Sequence, residues 1–171
     1  MTERGCTDDP MTTAQTPIQT KNINTTALAY IGDAVYEIYV RERVLQKEHT
    51  HVDRLHKLAI GYVNNEGQAK AVKRLLNDGF LTTEEVALVK RARNHKTSSK
   101  PRNADPVNYK LATAFEALIG WLHLEGRKDR MEEIIFHAME IIERPQQKAG
   151  RPACVSPAAY KPAGQAEGDE Q

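Results

Sequence analysis

The stretch TTALAYIGDAVYE at residues 25–37, together with the later stretch ATAFEALIG at residues 112–120, decides the fold. In each stretch the apolar residues recur at three- and four-residue spacing, which predicts an α-helix with one buried face. The predicted buried face of the first helix consists of Leu28, Ile31, Val35 and Ile38. That of the second consists of Leu111, Phe115, Leu118 and Leu122.

Each helix carries an acidic residue on the stripe opposite its apolar face, Asp33 on the first and Glu116 on the second. If the helices cross with these stripes converging, the two carboxylates would hold a divalent cation together. Mg²⁺ is the cation that suits carboxylate, water and phosphate oxygens. The alternative interpretation is that each residue is an ordinary solvated surface charge.

A glycine lies inside each helix, Gly32 in the first and Gly120 in the second. A glycine inside a helix costs roughly 1 kcal/mol relative to alanine, so a packing or functional reason is expected. Because glycine lacks a Cβ atom, we expect another backbone or a ligand to approach closely at these two positions.

Residues 29–36, AYIGDAVY, resemble the signature of the ribonuclease III family, usually written ERLEFLGDAVL. Residues 113–120, TAFEALIG, resemble the second motif of that family, DxxEALIG. The resemblance covers about residues 22–143, and it is strongest to the short bacterial subgroup, Mini-ribonuclease III, which consists of the catalytic domain alone.

The larger enzymes of the family have further acidic residues, and this chain departs from them. The two upstream glutamates of the signature correspond here to Thr26 and Ala29, and the first acid of DxxE corresponds to Thr113. Of the motif acids only Asp33 and Glu116 are present. This pattern is similar to that of the short subgroup.

The resemblance implies an all-α fold, the ribonuclease III catalytic-domain helical bundle, which works as a homodimer. It implies a Mg²⁺-dependent endoribonuclease that hydrolyses double-stranded RNA and leaves 5′-phosphate and 3′-hydroxyl ends, with Mn²⁺ expected to substitute. Asp33 and Glu116 would be both the catalytic residues and the metal ligands. The implied natural substrate is the precursor of large-subunit (23S) ribosomal RNA, for which a ribosomal protein is a possible presenting partner.

Composition and charge constrain the rest of the chain. The net charge of +1 over 171 residues gives no indication of a polyanionic partner, so local charge must supply that argument. Cys6 and Cys154 lie in opposite tails and imply no disulfide framework. No apolar run is long enough to span a membrane, and no leader peptide is recognisable, which predicts a cytoplasmic protein.

The domain organisation predicted from composition is one domain between two tails. Residues 1–21 and 145–171 contain few large apolar residues and are predicted to be disordered. Within residues 22–144 we predict the first helix to about Gln46, and four further helices. They are a long helix over 53–78, a helix begun by the capping box at 82–85, the Glu116 helix begun at Asp105-Pro106, and a last helix over 128–143.

Two surfaces are candidates for RNA binding. The polar face of the predicted 53–78 helix mixes a cation with amides, which suits phosphates and 2′-hydroxyls. The second is a basic run without acidic residues, from the end of one helix to the start of the Glu116 helix. The candidates are Lys57, Asn64 and Gln68 on the first surface and Arg91, Arg93, Asn94, His95, Lys96, Lys100 and Arg102 on the second. The alternative for both surfaces is an ordinary solvated face.

Two other functions remain open at this point. A non-catalytic RNA-binding or ribosome-assembly module would keep the fold and the basic run but would not need Asp33 and Glu116. A helical phosphohydrolase of the His-Asp type would need a consecutive His-Asp pair on a helix, and no such dipeptide occurs in the sequence.

Overall fold

The structure is a computed structural model that describes residues 20–47, 51–95 and 105–144, and in those residues every regular element is helical. A short 3₁₀ helix, Thr20–Asn22, precedes six α-helices. The α-helices are α1 (Thr25–Lys47), α2 (Val52–Val63), α3 (Asn65–Asn77), α4 (Thr83–Asn94), α5 (Pro106–Leu124) and α6 (Lys128–Glu143). The predicted all-α fold class is confirmed, whereas both predicted tails, apart from residues 20 and 21, lie outside the described residues.

Helix α5 lies at the centre of the bundle, with α1, α3, α4 and α6 packed around it. Its four predicted buried residues are buried, and so are the alanines and other apolar residues on the remaining sides of the helix. Phe115 meets Tyr36 of α1 edge to face, with ring centroids 5.1 Å apart. Between Leu111 and Leu122 only Thr113 and Glu116 are not fully buried, which makes Glu116 a polar group on an otherwise apolar helix.

Several helix boundaries follow directly from local sequence signals. The Asn24 side chain accepts a hydrogen bond from the backbone N–H of Thr26, at 2.9 Å, at the start of α1. Thr82 and Glu85 form the predicted capping box at the start of α4, with both reciprocal hydrogen bonds present. At the start of α5, Asp105 accepts hydrogen bonds from two backbone N–H groups. The predicted starts of α4 and α5 are confirmed.

The predicted buried face of α1 is wrong by a rotation about the helix axis. Five buried residues of this helix follow a strict four-residue spacing: Leu28, Gly32, Tyr36, Val40 and Val44. Thr25 and Ala29 are also buried. Ile31 and Val35 are only partly buried, and Ile38 is 58% exposed. The physical reason is that α1 contacts α5 through Gly32 and Tyr36.

The predicted single helix over residues 53–78 is also wrong, because Asn64 divides it into α2 and α3. Asn64 has an extended backbone with ψ of 154°, and its side chain accepts a hydrogen bond from the backbone N–H of Gly67 at 2.7 Å. It therefore acts as the N-cap of α3. The break turns α3 relative to α2, so Glu66, which falls on the apolar side of a continuous helix, is exposed.

Helix α6 has the predicted bounds. Ion pairs connect both of its ends to neighbouring helices. Near its start, Arg130 donates two hydrogen bonds to the fully buried Glu85 carboxylate, at 3.0 and 2.9 Å. At its end, Glu143 pairs with Arg43 and Lys47 of α1. These contacts hold α4, α6 and α1 around the central helix. None of the helices within 20–47, 51–95 and 105–144 has the length and apolar character needed to cross a membrane.

Candidate active site

The backbones of α1 and α5 touch at the two helix glycines. A Cβ atom on Gly32 would lie 2.7 Å from the backbone nitrogen of Gly120 and closer still to the carbonyl oxygen of Glu116. A Cβ atom on Gly120 would lie 2.9 Å from the backbone nitrogen of Gly32 and closer still to the carbonyl oxygen of Leu28. Real Cβ atoms essentially never approach other atoms within 3.0 Å, so only glycine fits either position. The expectation of a close backbone approach is confirmed.

This crossing brings the two acidic residues together. Asp33 follows Gly32 directly, and the carbonyl group of Glu116 itself lies against Gly32. Burial and, after it, the charge of Asp33 raise the pKa of the Glu116 carboxyl. The crossing therefore brings together the helix segments of two acidic residues that are 83 positions apart in the chain, from 33 to 116.

Both carboxyl groups are destabilised in their charged forms. Burial, followed by the charge of Asp33, raises the pKa of Glu116 to about 8. Burial, followed by the charge of Glu37, also raises the pKa of Asp33. The favourable interactions that normally keep a carboxylate ionised are thus outweighed at this site. A bound cation would remove the repulsion between the two charges, which is a property expected of a metal site.

The donor set fits a hard divalent cation that keeps much of its own hydration. Within the described ranges there is no group of three or more His, Cys, Asp or Glu side chains suited to hold a metal ion. Two carboxylates are sufficient for Mg²⁺, which binds proteins through one or two carboxylates and takes its remaining oxygens from water and substrate phosphates. Asp33 and Glu116 would therefore be the protein ligands of such an ion.

Glu37 lies one helical turn beyond Asp33 and has a partner of its own. Its carboxylate pairs with Arg41 at 2.6 Å, on an exposed part of α1. The charge of Glu37 nevertheless contributes to the raised pKa of Asp33. Glu37 is therefore tied to Arg41 rather than free to act as a third ligand in this conformation.

The raised pKa of Glu116 predicts a pH dependence of stability in the absence of metal. Between the ordinary pKa of 4.5 and about 8, the folded chain retains a proton that the unfolded chain loses. Stability should therefore fall as pH rises through this range, because the native state binds more protons than the unfolded state. We expect the melting temperature of the wild type in EDTA, relative to that of Glu116→Gln, to fall between pH 5 and pH 8. A constant difference between the two proteins across this range would contradict the prediction.

The predicted RNA-binding residues are only partly on the surface. Lys57 on α2 and Asn64 between α2 and α3 are exposed. Arg91, Arg93, Asn94 and His95 form an exposed basic end of α4. The other three cations of the basic run, Lys96, Lys100 and Arg102, lie outside the described residues.

Gln68 is the exception, because its side chain is completely buried. Burial contradicts a direct contact with RNA in this conformation. The error has the same origin as the single long helix: on a continuous helix Gln68 shares a face with Lys57, whereas the break at Asn64 turns it inward. Its side chain instead lowers the pKa of the Glu116 carboxyl, against the larger effects of burial and of the Asp33 charge. The available signal was its spacing from Val72 and Leu75, which places it on the buried stripe of α3.

An exposed apolar stripe on α1 was likewise not recognised from sequence. Tyr30 is 79% exposed and Ile38 is 58% exposed, and the exposed Ala34 lies between them at four-residue spacing. These three residues, here called the α1 stripe, share one face of the helix and flank Asp33. Large exposed apolar residues grouped on one face are typical of an interaction surface.

Comparisons with known proteins identify the family of the chain. The Ribonuclease III domain family matches residues 26–127, a segment that includes both acidic residues and both helix glycines. The chain is 44% identical to the Mini-ribonuclease 3 of Enterococcus faecalis, over 67% of this chain and 87% of that protein. It is 43% identical to the Mini-ribonuclease 3 of Symbiobacterium thermophilum, over 70% of this chain and 90% of that protein.

A solved structure shows the same fold. A crystal structure of a protein from Fusobacterium nucleatum superposes with a TM-score of 0.62 and 32% sequence identity, covering 70% of this chain and 94% of that one. The matched family, the relatives and the crossing of α1 with α5 beside two carboxylates all lead to one assignment. The chain belongs to the ribonuclease III family.

Proposed function

We propose that this ribonuclease III-family endoribonuclease cleaves double-stranded RNA at a divalent-metal site formed by Asp33 and Glu116, with Mg²⁺ as the natural ion. The products would carry 5′-phosphate and 3′-hydroxyl ends. The observation that carries the proposal is the convergence of the two carboxylates at the glycine crossing, where the charge of one raises the pKa of the other.

The chain's own residues would hold the ion and orient it. When bound, a divalent cation supplies Lewis-acid chemistry: it lowers the pKa of a bound water, polarises the phosphate and neutralises the leaving oxygen. Asp33 and Glu116 are fixed relative to each other because their helices are in backbone contact. Since two carboxylates leave most coordination positions open, metal affinity should be weak until RNA phosphates join the shell.

The substrate would be recognised by shape and backbone. Side chains cannot read the deep, narrow major groove of an A-form duplex, so contacts go to phosphates and 2′-hydroxyls. The exposed Lys57, Asn64, Arg91 and Arg93 are available for such contacts, as are the exposed Asn94 and His95. Lys96, Lys100 and Arg102 are proposed to extend the same basic surface.

We propose that a second copy of the chain covers the α1 stripe. The exposed Tyr30, Ala34 and Ile38 flank Asp33, so a two-fold contact through them would place a second metal site near the first. Two such sites suit the two strands of one duplex. Sedimentation equilibrium should give twice the chain mass of 19.2 kDa, and a mass of one chain at micromolar concentration would contradict the dimer.

The natural substrate is proposed to be the precursor of 23S ribosomal RNA in the cytoplasm, with a ribosomal protein as a possible presenting partner. This proposal rests on the likeness of the chain to the short subgroup of the family. A precursor transcript cut at its terminal stem in preference to unrelated duplexes would support it, and equal cutting of every duplex would contradict it.

Incubation of the full chain with a perfect RNA duplex tests the activity itself. Wild type should cut the duplex in Mg²⁺ or Mn²⁺ and be inactive in EDTA, because the metal supplies the Lewis acid. A DNA duplex of the same sequence, and each RNA strand alone, serve as matched substrates that should remain intact. Products labelled at their new 5′ ends should carry phosphate.

The principal alternative is a non-catalytic RNA-binding module. It predicts that the chain shifts the duplex in a gel without cutting it under any metal condition. No observation in the described residues favours this alternative, because a binder has no need for two destabilised carboxylates at a backbone crossing. Binding without cleavage would overturn the proposed function.

A further inference from the structure

Gln68 is the most unusual buried side chain outside the carboxylate pair. Its side chain is fully buried. Among the described residues, no partner lies at the distance and angle of a standard hydrogen bond from its Nε2 or Oε1 atom. Buried amides are nearly always hydrogen-bonded, since an unmade hydrogen bond in the interior is costly. Among the described residues, the only other buried side-chain polar atom in this state is Oγ1 of Thr25.

The surroundings of Gln68 indicate which polar group its amide interacts with. Helix α3, which carries Gln68, packs against α5, which carries Glu116. The Gln68 side chain lowers the pKa of the Glu116 carboxyl, against the larger effects of burial and of the Asp33 charge. The other buried residues of α3 are Gly67 and the apolar Ala69, Ala71, Val72 and Leu75, which offer no polar side chain. Since α3 itself offers the amide no buried polar partner, the interaction with Glu116 on the neighbouring helix is the one from which its role can be inferred.

We infer that Gln68 is a positioning residue, whose amide Nε2 donates a hydrogen bond to the Glu116 carboxylate and so holds that carboxylate in the orientation needed to bind a divalent cation with Asp33. The inference rests on the proposed metal-dependent function. Carboxylates that ligate metals are themselves usually hydrogen-bonded, and loss of such a partner typically weakens metal affinity or activity by 10–100-fold.

A purely structural role makes a different prediction. If Gln68 only filled space between α3 and α5, an apolar residue of the same length would replace it without a specific effect on metal binding. Removing one partner of a buried hydrogen bond leaves the other partner unsatisfied, which costs stability. A space-filling role therefore predicts an unchanged metal dependence, whereas a positioning role predicts weaker metal binding by a protein that is still folded.

The experiment compares Gln68→Met with wild type and with Thr25→Val, a matched control that removes the other unpaired buried atom. For Gln68→Met we expect about a 10–100-fold higher Mg²⁺ concentration at half-maximal cleavage and a rate largely restored at saturating Mg²⁺. We expect less Mn²⁺ bound in electron paramagnetic resonance, from a protein whose circular dichroism spectrum is that of the folded wild type. Thr25→Val should keep the wild-type metal dependence.

Three outcomes would overturn the inference. The first is a wild-type Mg²⁺ dependence for Gln68→Met, and the second is a fall in melting temperature with an equal loss of cleavage at every Mg²⁺ concentration. The third is failure of both Gln68→Met and the second variant, Gln68→Leu, to fold, because Gln68 would then be needed for folding itself. If wild type cut no duplex RNA, the proposed function would fail, while the Mn²⁺ measurement would still test Gln68.

Discussion

Asp33→Asn should lower the cleavage rate of duplex RNA by about a thousandfold or more while the protein remains folded. The substitution removes the charge that binds the cation but keeps the size of the side chain. Metal activation is worth several kcal/mol of transition-state stabilisation, and each 1.4 kcal/mol corresponds to about tenfold in rate. Single-turnover cleavage at saturating protein measures the effect without interference from RNA binding.

Glu116→Gln should cause a loss of similar size, and the double variant should be little worse than either single one. The reason is that two ligands of one ion act as a unit, so their effects are not additive. Glu37→Gln is the matched control, since Glu37 lies on α1 like Asp33 but its carboxylate pairs with Arg41. It should change the rate by less than about tenfold. Equal cleavage by wild type and Asp33→Asn would contradict the assignment.

Gly32→Ala should destabilise the fold strongly. The added Cβ would lie 2.7 Å from the backbone nitrogen of Gly120, and closer still to the Glu116 carbonyl, so the helices would have to separate. Overpacking of a core typically costs 1–3 kcal/mol, and a clash with backbone atoms belongs at the upper end, about 3 kcal/mol. That is a large part of the 5–15 kcal/mol typical of whole domains. Urea unfolding monitored by circular dichroism measures the loss.

Gly61→Ala is the control for this substitution. Gly61 is also inside a helix, α2, but a Cβ atom there would meet nothing within 4 Å. Alanine is the better helix former by about 1 kcal/mol, so this variant should be slightly more stable than wild type. If Gly32→Ala proved as stable as Gly61→Ala, the close crossing of α1 and α5 would be wrong.

The features that sequence could predict are those determined by local signals or by a motif. The capping box at Thr82 and Glu85, the start of α5 at Asp105 and the bounds of α6 depend on neighbouring residues only. Gly32 and Gly120 predicted a close approach because glycine inside a helix is unfavourable without such a reason. The metal-ligand roles of Asp33 and Glu116 remain predictions, although the structure brings the two side chains together.

The features that sequence could not predict depend on the partner of each helix. Periodicity alone makes Ile31, Val35 and Ile38 the natural inner face of α1, but contact with α5 goes through Gly32 and Tyr36. The break at Asn64 had a signal, since Asn is a favoured N-cap, yet the apolar spacing continues through it. Because that break sets the rotation of α3, the environment of Gln68 could not be derived before the break was known.

The most direct test of the shared metal site is a crystal of the protein grown with duplex RNA and Mn²⁺, with Asp33→Asn or wild type as the protein and anomalous diffraction as the readout. The account predicts that wild type shows an anomalous peak within bonding distance of a carboxylate oxygen of Asp33, a carboxylate oxygen of Glu116 and a phosphate oxygen of the RNA, whether the RNA in the crystal is intact or cut. It predicts that this peak is lost in Asp33→Asn. A Mn²⁺ ion bound elsewhere in wild type, or a Glu116 side chain turned away from Asp33, would contradict it.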